Sequence, residues 1–388
     1  MTRLSTQKNR VYLAVAGAGK TTKIVQQCIE SHCQKKIAIL TYTHKAVQSV
    51  IDKLQQESTY GIPSVNLKVY TWYNFLYHEC VLPYQKVNFC YADMKGLSFD
   101  DFYGSQSPFK KTDYRRYCDS QNRLRAKYAA DYIVETIKKD NSLIHRLEQI
   151  FEEIIVDEVQ DLAGEDLDFI ELLLDSKIRI TLVGDSRQAT FVTHTTRRNK
   201  RYKGIRIIEY FKYLEKIGKL QLRSWRECYR SNQSICEFAD KLFPSLPPAI
   251  SKMDIQTGHD GVFLIHRSHL EDYISFLRSL GNNYEILRYD KNTKTESYRA
   301  YNFGECKGLT FERVIIFPNG PLKKFIADLT CQTPAKYYVG LTRARFSVAI
   351  IVDSFPANDV YQDIQIQSGT INFSAKQFCY KKDKSRVD

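Results

Sequence analysis

The chain has 388 residues, 43% hydrophobic and 26% charged, an ordinary globular composition for two or three domains, each able to bury a core. No apolar run approaches the roughly 20 residues that cross a bilayer, the first eight residues lack the apolar core of a signal peptide, and the ten scattered cysteines form no C-x-x-C pair; a cytoplasmic protein without a membrane partner, zinc ribbon or iron–sulfur cluster is expected. The formal charge of +13 exceeds what a soluble nucleotide hydrolase needs and suits a protein that tracks a phosphodiester backbone.

In chain order, Val11-Tyr12-Leu13 reads as a buried strand and Lys23 to Ile29 as a helix. Between them lies Ala14-Val15-Ala16-Gly17-Ala18-Gly19-Lys20-Thr21-Thr22. A strand, a loop of small residues and Lys-Thr opening a helix make a phosphate cradle. Backbone N–H groups wrap the phosphates and the helix N-terminus adds partial positive charge, while Lys20 reaches the β/γ oxygens and Thr21 holds Mg²⁺. The strict pattern has Gly six residues before the Lys, where this chain has Ala14.

A strand at 37–41, a helix at 45–54 and a strand at 66–71 continue an alternation that implies a parallel sheet flanked by helices. From 77 to 147 the sheet signal stops. This segment is Tyr-rich and basic, helical over 122–139 and 142–150, and reads as an insertion. Its Lys110, Lys111, Arg115, Arg116, Arg123, Arg125 and Lys127 interleave with Tyr103, Phe109, Tyr114 and Tyr117, as stacking surfaces for unpaired bases require; a second basic run covers 197–203. Each run taken singly also reads as a solvated face. The sheet resumes at 153–157 and 178–185. After Leu220 four apolar strands, at 262–265, 284–287, 314–317 and 347–352, form a second α/β core. The expected division is a first core over 1–76 and 148–220, an insertion over 77–147, a second core over 221–378 and a basic tail over 379–388.

The stretch Ile154-Ile155-Val156-Asp157-Glu158 runs an apolar strand straight into two carboxylates. That places them at the C-terminal sheet edge, where α/β folds bind ligands. Asp157 would hold Mg²⁺ through water, opposite Thr21, and Glu158 would orient and deprotonate the attacking water.

With these two stretches, six more in the same order between residues 14 and 345 resemble the motifs of superfamily 1A DNA helicases of the UvrD, Rep and PcrA kind. The phosphate loop resembles the family form A-x-A-G-x-G-K-T, which accounts for Ala14, and 157–161 matches D-E-x-Q-D. The stretch 40–46 resembles T-F-T-N-K-A, 71–75 resembles T-F-H-x-F, and 182–188 resembles G-D-x-x-Q. The stretches 228–231, 306–311 and 336–345 resemble N-Y-R-S, K-G-L-E-F and Y-V-A-x-T-R-A.

The resemblance implies two RecA-like P-loop domains with a mostly helical 1B-type, DNA-binding insertion in the first. ATP and Mg²⁺ are implied as cofactors, with Ala16, Gly17, Ala18, Gly19, Lys20, Thr21, Thr22, Tyr229 and Gly308 at the nucleotide. Gln188 would sense the γ-phosphate, Tyr229 would pack on the adenine, Arg230 would reach the γ-phosphate and Arg343 would be an arginine finger. ATP held by both cores would draw them together, and hydrolysis would release them. Tyr42, Thr43, His44, Lys45, Thr71, Trp72, Tyr73 and Phe191 are implied to meet single-stranded DNA; core packing is an equal reading for each of the aromatics singly.

The chain also departs from the family. Gln7 stands only thirteen residues before Lys20, against about twenty for the family's adenine-reading Gln, so other nucleoside triphosphates are admitted. Thr310 replaces the Glu of K-G-L-E-F, and the Trp and Arg that follow the G-D-x-x-Q motif are lost. Only about seventy residues separate Ser231 from Asn302, too few for the 2B-type subdomain. The expected function is ATP-driven 3′→5′ movement along single-stranded DNA, including single/double-strand junctions, in repair, replication or phage defence. The alternatives are an ATP-driven DNA-sensing subunit acting with a partner nuclease, and an RNA-directed motor.

Overall fold

A computed structural model describes residues 9–31, 35–57, 66–100, 107–190, 193, 197–281 and 283–379. Two compact units divide the chain: Met1–Ala14 with Lys20–Ser224, and Val15–Gly19 with Trp225–Asp388. Tyr103, Phe191, Gln7 and the basic tail beyond Cys379 lie outside the described residues.

The first unit is built on a six-stranded sheet in the order Leu67–Thr71, Ile37–Thr41, Glu153–Val156, Arg179–Gly184, Arg10–Ala14, Gln221–Trp225. The first five run parallel. Parallel strands covered on both faces must be apolar throughout. Ile37–Thr41 and Glu153–Val156 accordingly bury every residue. Helix Lys20–Ser31 buries Ile24, Val25 and Cys28, and helix His44–Glu57 buries Val50 and Leu54. Five parallel strands bring their C-terminal ends to one edge, and the sheet order fixes which residues meet there. The last strand, Gln221–Trp225, falls on the second-core side of the expected division at 220, yet it joins this first sheet. Its alternating pattern continues that of the next core, so composition gave no boundary.

The insertion keeps its expected helices at Ala129–Lys139 and Ser142–Ile150. The residues before Ala129 differ from the expectation: Leu124–Arg125 is a short strand paired in parallel with Leu97–Ser98. The basic and aromatic interleaving also has another use than the one expected. Asp131, fully buried, takes both Lys111 at 2.5 Å and Arg116 at 2.8 Å. Arg115 pairs with Asp113 and Arg123 with Asp119. Tyr117 and Tyr128 are buried, and the ring of Tyr117 meets Phe89 at 5.9 Å and Tyr132 at 5.0 Å. Tyr117, Tyr128, Asp131 and Arg125 thus lie in the core of the insertion, while Lys110, Lys111 and Arg115 stay exposed.

The second unit has a seven-stranded sheet in the order Tyr301–Asn302, Tyr284–Arg288, Phe311–Phe317, Ala344–Val352, Gly261–His266, Ile371–Phe378, Tyr361–Ser368. The four expected strands lie at its centre, parallel throughout. The two C-terminal strands are an antiparallel hairpin that the sequence reading lacked. Their residues are largely polar and only partly buried, which leaves little apolar pattern to read. No helix among the described residues is long and apolar enough to cross a membrane.

Candidate nucleotide and nucleic-acid sites

In the first unit, the neighbouring parallel strands Glu153–Val156 and Arg179–Gly184 end side by side, so Asp157 and Asp185 just past them come to one edge. Asp157 comes after the first, buried, its amide donating to Leu40 O at 2.8 Å. Its Oδ1 accepts the Glu158 amide at 2.8 Å. Glu158 itself sits at φ 55°, ψ 37°, the left-handed region that costs a side-chain-bearing residue about 1–2 kcal/mol. Such strain persists only where the surroundings impose it. Gln160 Nε2 donates to the Glu158 carboxylate, and Gln160 Oε1 accepts the Asp185 amide at 2.9 Å. Gln188 Nε2 donates to Asp185 Oδ2 at 2.8 Å. A continuous relay therefore runs Glu158–Gln160–Asp185–Gln188, and its last three members are buried.

Lys20 and Thr21 open the helix after the loop, both half-buried. Thr22 accepts a hydrogen bond from Lys53 Nζ at 2.9 Å. Burial lowers the Lys53 pKa, and the charges of Asp157 and Glu57 pull it back up. Gln160, Asp185 and Lys53 were not among the expected site residues. The first two stand inside motifs the sequence displays; Lys53 lies in an ordinary amphipathic helix and carries no such signal.

The loop Val15–Gly19 packs within the second unit. Gly17 and Gly19 adopt φ +74° and +71°, which side-chain-bearing residues rarely take. A Cβ on Gly17 would also stand 2.7 Å from Arg230 Cβ and 2.9 Å from Cys228 Sγ. The Ala16 amide donates to the Tyr338 hydroxyl at 3.3 Å and the Ala18 amide to Val15 O at 3.2 Å. Both are thus committed within the protein. Tyr229 donates its amide to Gly17 O at 2.9 Å and leaves its ring 51% exposed. Arg230 is half-buried, with Nη1 donating to Thr342 O at 3.1 Å.

Arg343 has a different setting from the one a phosphate-reaching finger requires. Its guanidinium is buried, with Nε donating to Val339 O at 2.9 Å and Nη1 to Leu309 O at 3.2 Å. It binds the helix Ala335–Leu341 to the segment around Gly308, whose φ of +87° needs glycine. Cys228, buried beside the loop, accepts from the Cys236 thiol and from backbone N–H groups, which lower its pKa against the effect of burial.

At the ends of Ile37–Thr41 and Leu67–Thr71 the residues expected to meet a nucleic-acid strand separate into two sets. Thr43, His44 and Lys45 are exposed, and Tyr42 is half-buried. Thr71 caps the next helix through its hydroxyl, which accepts the Asn74 amide at 3.2 Å. Trp72 is buried, donates Nε1–H to Asp166 Oδ1 at 3.0 Å and packs near Phe169, so its indole is core. Tyr73 is also buried, its hydroxyl donating to Thr193 O at 3.2 Å.

The chain matches a family model described as the viral superfamily 1 RNA helicase core domain over residues 115–352. It belongs to that superfamily 1 helicase core family. A second model, described as an AAA domain, matches residues 2–194. None of the curated proteins compared matches it. Among solved structures, the helicase core is similar to Arterivirus nonstructural protein 10, a helicase, at 14% identity and a TM-score of 0.45, over 88% of this chain and 59% of that one. The same arterivirus protein in complex with DNA matches at 14% identity and a TM-score of 0.45, over 90% and 61%. This chain thus spans about three fifths of the arterivirus helicase's length. Each of the two units carries an α/β sheet whose central strands run parallel. The narrower likeness to UvrD, Rep and PcrA goes beyond what these matches establish.

Proposed function

We propose that this helicase core is an ATP-hydrolysing motor that moves 3′→5′ along single-stranded DNA. The observation that carries the reading is the relay Glu158–Gln160–Asp185–Gln188 at the same sheet edge as the Lys20–Thr21 helix start. In this reading Lys20 neutralises the β/γ-phosphate oxygens, helped by the helix N-terminus. Thr21 and Asp157 offer the hard oxygen donors that Mg²⁺ takes, and the bound ion would offset phosphate charge in the transition state. Glu158 accepts the proton of the attacking water. Gln160 holds that carboxylate in position and ties it to Gln188, the γ-phosphate sensor. The left-handed backbone at Glu158 favours the same role, because strain of this kind concentrates at working residues.

Arg230 and Tyr229 are the proposed phosphate and base contacts of the second unit. Arg343 is proposed as the residue that positions the segment around Gly308. Thr43, His44 and Lys45, exposed just past the end of strand Ile37–Thr41, are proposed to take the nucleic-acid backbone.

The test is steady-state ATPase activity with single-stranded DNA, duplex DNA and single-stranded RNA, paired with strand displacement on 3′- and 5′-tailed duplexes. Stimulation by single-stranded DNA, with displacement from the 3′ tail, is expected. Lys20→Ala should abolish turnover, and Glu158→Gln should bind ATP without hydrolysing it. Undiminished turnover in either variant would overturn the active-site assignment. The matched family is described by RNA helicases, which favours RNA as the second reading. Stimulation by RNA alone would replace DNA with it.

A further inference from the structure

One aromatic that no motif names stands at the same sheet edge. Phe99, from the insertion, is 69% exposed. A lone exposed apolar side chain is common and signifies nothing by itself. Phe99 differs in how it is held. Its ring meets Tyr73 at 5.3 Å and 83°, and Tyr73 meets Tyr42 at 6.1 Å. The three rings form a row at the ends of Ile37–Thr41 and Leu67–Thr71. Tyr73 is buried with its hydroxyl engaged, so it cannot take a base itself; it serves as the anvil behind Phe99. An edge-to-face contact occupies at most one face of the Phe99 ring. The preceding residues Leu97–Ser98 are fixed by pairing with Leu124–Arg125, so the ring's position is set before any ligand arrives.

We propose that Phe99 is a stacking platform for one unpaired base of the single strand, a contact that deepens the motor reading and rests on it. The choice of phenylalanine fits a motor. A stacked ring holds any base, because every base has a π-face, and with no hydroxyl or amide it reads none. A translocating protein must release each base in turn, so a contact without sequence preference suits it. Because Tyr73 already restrains the ring, less side-chain entropy is lost when a base arrives.

The experiment measures equilibrium binding of a fluorescein-labelled 20-mer of deoxythymidine and its RNA counterpart, with 2-aminopurine quenching as a stacking readout. ATPase activity without nucleic acid is followed in parallel. Phe99→Ala should weaken binding roughly 10- to 100-fold and abolish the quenching, while ATPase without nucleic acid is unchanged. Phe99→Trp should restore both; Phe99→Leu should restore neither. The arm that loses affinity, DNA or RNA, tells which strand is held. Binding by Phe99→Ala within twofold of the unsubstituted protein, or full rescue by leucine, overturns the proposal. Those results leave strand-stimulated ATPase intact in the unsubstituted protein. Loss of the motor reading would instead appear as no strand binding or stimulation in any form of the chain, which overturns both.

Discussion

Gly184→Ala tests whether the relay through Gln160 controls hydrolysis. A Cβ built on Gly184 would fall inside contact with Gln160 Oε1, 2.9 Å from Val159 Cγ1 and 3.3 Å from Gln160 N. Gly184 is absent from the positive-φ positions, so crowding alone makes the substitution destabilising. The backbone amide cannot retreat easily, so the Gln160 side chain must swing away. That breaks its bond from the Asp185 amide at 2.9 Å and frees the Glu158 carboxylate. Crowding of this kind costs about 1–3 kcal/mol, and each lost hydrogen bond adds about 1 kcal/mol. If about 1.4–2.7 kcal/mol of that appears in the transition state, kcat falls roughly 10- to 100-fold. The assay is kcat and KM for ATP, with urea unfolding run in parallel. Gln160→Ala should lower kcat similarly with a smaller stability loss, since it removes the bonds without the crowding. The double variant should be less destabilised than the sum of its parts, because the side chain being crowded is gone. Unchanged kcat in both single variants would refute the claim that Gln160 positions Glu158.

Left-handed strain at Glu158 predicts that Glu158→Gly is more stable than Glu158→Ala by about 1 kcal/mol in thermal unfolding, both being inactive; equal stability would mean no strain is stored there. Arg343→Ala should lower stability without nucleotide by about 2–4 kcal/mol, because it strips buried carbonyls of their donor. A residue acting only as an arginine finger would leave that stability untouched and lower kcat alone. His259, stacked on Phe263 and 2.9 Å from the Tyr273 hydroxyl, has its pKa lowered to about 3 by burial and the Arg313 guanidinium. The folded form therefore stays neutral while the unfolded form protonates near 6.5, so its stabilising contribution is whole above that pH and is lost as pH falls toward 3. About 2 kcal/mol should be gone by pH 5, seen as a urea-midpoint drop that His259→Phe lacks. Finally, Lys45→Gln should reduce the slope of log K against log salt for single-stranded DNA by about 0.7, the value of one phosphate contact. Arg115→Gln, whose charge already pairs with Asp113 at 2.7 Å, should leave that slope unchanged.

What the sequence made legible depended on the range of the signal. Residues 37–40 and 154–156 are apolar runs within their strands, and the parallel sheet is implied by the alternation of such strands with helices. The order in which they assemble is not local. Nothing near Arg10 announces that its strand lies between Arg179–Gly184 and Gln221–Trp225, because that order comes from tertiary packing. The same limit applies at the site. Asp157 and Glu158 could be read from the strand that ends in them, but the tie from Gln160 to Asp185 spans two strands and needs coordinates. Trp72 shows the reverse case: a motif position and a core position carry the same residue type. Its burial, its packing near Phe169 and its bond to buried Asp166 separate them.

The insertion shows why net charge predicts a partner better than it predicts a surface. A formal charge of +13 is a sum, whereas the field that attracts a strand depends on which cations lack a nearby counter-charge. Asp131 is fully buried, and the desolvation of a carboxylate must be offset by charge-assisted bonds, which Lys111 and Arg116 supply. Those two cations are engaged in folding the insertion. Arg115 and Arg123 sit opposite Asp113 and Asp119 and are largely cancelled at the distance of a phosphate. Two of the rings expected beside them are similarly occupied, with Tyr117 buried and Phe109 under the Arg115 guanidinium at 4.5 Å. Among the described residues, Phe99 is an exposed aromatic of the insertion that meets Tyr73 and lies outside the basic run. Charge density along the chain singles out the basic run, and ion pairing within it leaves the proposed point of contact on a residue that charge does not indicate.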